Sequence, residues 1–63
     1  METADVFMDY AHPVLQAERA LKALHNAMLS HDHHGAIEAG YQAIVEVRMA
    51  IAAIREDQVK TSW

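Results

Sequence analysis

The sequence predicts an all-α fold, an antiparallel helical hairpin that pairs with a second copy into a four-helix bundle. Three observations predict it. Two long stretches carry apolar residues at heptad spacing. A single turn-like cluster, Ser30-His31-Asp32-His33-His34-Gly35, separates them. The second stretch is apolar over more of its circumference than one partner helix covers. Residues 1–63 therefore read as one helical-hairpin domain, with a short helix at about 3–11, a main helix at about 13–30, a turn at 31–35 and a helix at about 36–58.

In the first stretch, Phe7, Val14, Leu21 and Met28 form one heptad row, and Tyr10, Ala17 and Leu24 a second. His12, Gln16, Arg19 and Asn26 fall opposite, which is the pattern of an amphipathic helix. Thr3 is an N-cap candidate, since its hydroxyl can accept from a free backbone N–H. Pro13 has no N–H and its ring crowds the preceding turn, at about 3 kcal/mol in a helix interior. It is well tolerated at a first helical position, so a break is expected between the short helix and the main one.

In the second stretch, Ile37, Ile44 and Ile51 form one row. Val47 and Ile54 form the next, with Gly40 in the same register. Ala36, Ala43 and Ala50 repeat every seven residues, as do Ala20 and Ala27 in the first stretch. Small side chains at this spacing let two helices approach closely, so tight antiparallel packing along the alanine rows is expected. Phe7, Val14, Leu21, Leu24 and Met28, with Ile37, Ile44, Val47, Ile51 and Ile54, are the predicted core and dimer contacts. On that reading Leu21→Asp or Ile44→Asp buries an unpaired charge and unfolds the protein.

Size supports self-pairing. A chain of 63 residues buries only about 60% of the surface it exposes when unfolded, and small domains are usually reinforced by disulfides, a metal or oligomerisation. There is no cysteine, which removes disulfides and thiolate zinc sites. A two-helix monomer would leave a large apolar patch in water, whereas a closed two-fold dimer covers it.

Composition weighs against several other classes. The net charge is −4 with five Lys and Arg, a poor balance for neutralising phosphates, so neither nucleic acid nor an anionic membrane surface is an expected partner. The apolar run from Ala43 to Ile54 is broken by Glu46 and Arg48 and is shorter than the roughly 20 residues a bilayer span needs. The N-terminus is acidic where a secretory signal is basic, and the lack of cysteine fits a reducing compartment, so a cytoplasmic location is expected. No cofactor is expected, and no nucleophile with an oriented base is legible, so the chain does not read as an enzyme.

Two groups of side chains bear on binding. Tyr41, Arg48 and Arg55 share one side of the second helix, and Tyr and Arg are enriched at binding hot spots. The bland reading is that they lie along the surface with their stems over apolar neighbours. His31, His33 and His34 crowd the turn, where imidazoles could ligate zinc, nickel or copper. Their spacing lacks the i, i+4 pairing of a helical metal site, and a solvated turn in which Asp32 or Ser30 caps a helix end is the simpler reading.

The run Ala20-Leu21-Lys22-Ala23-Leu24-His25-Asn26-Ala27, followed by His31-Asp32-His33-His34-Gly35, resembles small early proteins of lambdoid bacteriophages, the 63-residue open-reading-frame products of the exo–xis region. The resemblance implies a helical hairpin dimer inside the bacterial host that acts on host or phage proteins around the choice between lysis and lysogeny. It transfers no functional residue.

The expected function is thus a homodimeric protein-interaction module. A transcriptional regulator contacting DNA and a histidine-based metal binder are the alternatives. For the last, zinc or nickel titrated into tag-free protein in a calorimeter is decisive, and no heat above buffer rejects it.

Overall fold

A computed structural model describes the backbone of residues 2–62 and the side chains of residues 10–59. The chain forms two helices, α1 (Glu2–Leu29) and α2 (His33–Ser62), folded back on each other as an antiparallel hairpin. Helices of 28 and 30 residues span roughly 42 and 45 Å at 1.5 Å per residue. The Cα positions accordingly fill a slab of 49 × 19 × 10 Å, one helix layer thick.

The seam between the helices is built from small side chains. Ala17 and Ala20 of α1 and Ala36, Ala43 and Ala50 of α2 are 5–8% exposed, and Pro13 is buried beside them. Leu24, Ala27, Ala39 and Ala53 extend the seam as half-buried neighbours. The alanine rows expected from the heptad spacing are therefore where the helices meet. Gly40 belongs to the same contact: a Cβ placed there would lie 3.4 Å from Leu24 Cδ1, in ordinary van der Waals contact.

Three local features depart from the sequence reading. The break at Pro13 is absent, and α1 runs through it. The ring lies in the row of Ala17 and Ala20, so burial against α2 offsets the one intrahelical hydrogen bond that proline cannot make. Thr3 falls inside the helical span and not at its cap. The turn is also tighter than residues 31–35: only Ser30, His31 and Asp32 lie between the helices, and His33, His34 and Gly35 are helical.

That tight turn has a physical cause. His31 takes φ of 61°, the left-handed conformation that ends many helices. The Asp32 N–H then donates to the Ala27 carbonyl at 2.8 Å and the His31 N–H to the Met28 carbonyl at 3.0 Å, satisfying two orphan carbonyls of α1. Asp32 in turn starts α2. Its Oδ1 accepts from the Gly35 N–H at 2.9 Å and its carbonyl from the Ala36 N–H at 3.0 Å, as an N-cap residue should. Gly35 does not need glycine for its backbone angles; a Cβ there would meet the Asp32 carboxylate, which would have to rotate aside.

Three substitutions test the turn. Asp32→Ala should lower stability by about 1 kcal/mol while Asp32→Asn retains most of it. His31→Gly should raise stability by about 0.5–1 kcal/mol, because glycine adopts positive φ without penalty. Urea denaturation of the three variants checks both, and an unchanged His31→Gly midpoint would contradict the turn geometry.

Candidate functional site

The residues expected to form the core lie elsewhere. Val14, Leu21 and Met28 of α1 and Ile37, Ile44, Val47, Ile51 and Ile54 of α2 are exposed, from 37% at Val14 to 58% at Ile37. Only Leu24 of the predicted set is half-buried at the seam, and the Phe7 side chain lies outside the described residues. No large side chain is fully buried anywhere among the described residues. As intramolecular core the assignment is thus corrected: alanine holds that position because two helices in one layer enclose only the seam itself.

The exposed residues are not scattered. In each helix the row one step round from the alanines turns to the same side of the hairpin, as antiparallel right-handed helices require. On α1 that row is Val14, Leu21 and Met28, and on α2 it is Ile37, Ile44 and Ile51. Leu24, Met28, Ala36, Ile37 and Gly40 line one continuous groove at the turn end, which places the two rows on one face. Within it, His33, Ala36, Ile37 and Gly40 stand at i, i+3, i+4 and i+7, the four positions that make a hole for a knob from a facing helix. The opposite face carries Gln16, Arg19 and Asn26 from α1 and Gln42, Glu46 and Glu56 from α2, with Gln42 Nε2 donating to Glu46 Oε2 at 2.9 Å. Met49, also exposed, interrupts it in the row of Gln42 and Glu56, so this face is mixed where the other is uniformly aliphatic along its two rows.

The area quantifies the imbalance. The chain exposes 5235 Å². A compact monomer of 7.1 kDa exposes about 4,100 Å². The excess, roughly 1,100 Å², exceeds the ~800 Å² that each partner contributes to a standard interface.

Tyr41, Arg48 and Arg55 lie on the outer edge of α2, away from the seam, and all three are exposed. His31, His33 and His34 are exposed around the turn. Among the described residues no three His, Asp or Glu side chains converge as a metal site, and no helix is long and apolar enough to cross a membrane. The smallest apolar residues mark the intramolecular contact, as the alanine rows of the sequence indicate, and the larger aliphatic residues flank it.

No family model, curated protein or solved structure matches the chain.

Gly40 offers a test of the groove. Gly40→Ala gains helix propensity worth up to about 1 kcal/mol, and the new methyl meets Leu24 at an ordinary van der Waals distance. The substitution should raise the urea midpoint of the hairpin. A fall would mean that Leu24 cannot give way and that the groove is tighter than described.

Proposed function

We propose that this chain is a non-enzymatic, homodimeric protein-interaction module. Two hairpins pair through the face bearing Leu21, Ile44 and Ile51 to make a four-helix bundle, and the dimer acts by engaging another protein. One observation carries the reading: alanine fills the hairpin's interior while every large aliphatic side chain in the flanking rows stands outside it. Pairing supplies the second layer that a single-layer slab lacks. It also places the polar faces of both hairpins in water. A two-fold axis is the simplest operator, since the same face serves both copies.

The resemblance to small lambdoid-phage early proteins supplies the biological setting: an accessory protein that modulates host or phage regulation in the bacterial cytoplasm. The downstream partner is then a host or phage protein.

Self-pairing has a direct readout. Sedimentation at tens of micromolar should give twice the chain mass, and the thermal midpoint should rise with protein concentration, because association stabilises by mass action. Leu21→Asp and Ile44→Asp act here through association, since both positions are exposed in the lone hairpin. Each should sediment as a single copy with reduced helicity. A wild-type protein that stays monomeric, with a midpoint independent of concentration, refutes the proposal.

A further inference from the structure

The outer edge of α2 carries a second exposed, partly apolar surface. Among the described residues, Arg48, Ile51, Ala52, Arg55, Glu56 and Val59 line a shallow apolar groove along this helix. Their order is informative. Arg48, Ile51, Ala52 and Arg55 stand at i, i+3, i+4 and i+7, and Ala52, Arg55, Glu56 and Val59 repeat the set one turn later. These are two consecutive holes of the kind that receive knobs from a facing helix. Ala52 is small and forms the floor they share. The groove points away from α1, and only Ile51 on its rim belongs also to the face assigned to self-pairing.

Charge gives the occupant its chemistry. Arg48 and Arg55 are exposed, and among the described residues neither makes an ion pair or hydrogen bond within the chain. They stand on one rim about 10 Å apart along the helix. Both lie in a chain of net charge −4 that has only five basic side chains. Glu56 stands on the opposite rim. The groove therefore has a basic side and an apolar floor, and Tyr41 and Val45, both exposed, continue the edge towards the turn.

We infer that this edge of α2 seats one amphipathic helix of another protein, bearing apolar knobs at heptad spacing and carboxylates along the flank that meets Arg48 and Arg55. The inference deepens the binding role above and rests on it, because this edge stays open when two copies pair through the isoleucine face. A second copy is a poor occupant. An antiparallel α2 would set Arg48 and Arg55 against the same two arginines, and like charges across a helix interface are unfavourable.

The test uses the full chain and a labelled synthetic peptide of about three heptads, with leucine at the a and d positions, glutamate along one flank and glutamine elsewhere. A matched peptide carries lysine in place of glutamate. Fluorescence anisotropy at about 150 mM salt should show the glutamate peptide binding at least about tenfold tighter than the lysine peptide. Arg48→Glu/Arg55→Glu should reverse the preference. Ala52→Leu, which fills the shared floor, should abolish binding of either peptide. Equal binding of the two peptides, binding indifferent to Ala52→Leu, or no binding at all overturns the inference. So does retention of duplex DNA that the double arginine variant abolishes, or a loss of assembled mass in Ala52→Leu. Sedimentation of the same samples reports on self-pairing, so failure of that reading is read apart from failure of this one.

Discussion

The close approach of two alanine-lined helices governs everything else in this molecule. Ala17 and Ala20 meet Ala36, Ala43 and Ala50 across a seam lined mainly by methyl groups, with Pro13 and Leu24 beside them. Five buried methyl groups at about 0.8 kcal/mol each contribute on the order of 4 kcal/mol. Close approach also displaces the larger apolar side chains sideways. They cannot enter the seam without prising it open, and a single layer of helices offers them no other interior.

Polarity is consequently organised at the level of the hairpin and not of the single helix. Each helix carries alanine towards its partner and large aliphatic rows on one flank, and the other flank is polar except for Met49 of α2. Because the helices are antiparallel, like flanks coincide, and a two-faced slab results. The capped turn fixes this arrangement. His31 in the left-handed conformation and Asp32 over the first turn of α2 leave only three residues between the helices, too few for one to roll far around the other. The register of the alanine rows and the coincidence of the two aliphatic rows thus depend on a turn of only three residues.

Much of this was legible in the sequence, and the rest was hidden for identifiable reasons. Heptad spacing of Ile37, Ile44 and Ile51 against Ala36, Ala43 and Ala50 sufficed for two helices and for a seam along alanine. The same spacing could not tell contacts within the chain from contacts between chains, because hydrophobicity reports avoidance of water and not the partner that provides shelter. Leu21 and Ile44 therefore read as interior when the hairpin leaves them outside. Pro13 read as a break because its local cost was weighed without the burial of its ring beside Ala17. Gly35 drew the end of the turn three residues too late. The positive φ sits at His31, where a side chain tolerates the left-handed region at some cost, and Gly35 is an ordinary helical residue beneath the Asp32 carboxylate. The edge groove at Ala52 was only half visible: Tyr41, Arg48 and Arg55 stood out as a stripe, but the alanine floor between the arginines became apparent only with the helix surface in view.

A division of labour follows from these placements. Small residues hold the hairpin, large aliphatic ones are available to a second copy, and the arginine-rimmed edge of α2 lies beyond both. The three surfaces occupy successive sectors of the same helix, so a change in one sector need not disturb the next. Among the described residues Arg48 and Arg55 make no ion pair within the hairpin, and on the proposed reading their work is selection. In an acidic molecule they add little general attraction for anions, but set along the rim of an apolar groove they favour a helix with carboxylates on that flank and repel one with ammonium groups there. Apolar knobs alone would fit the isoleucine face as readily as the edge. Flanking charge is what lets one exposed helix distinguish its own copy from a foreign one.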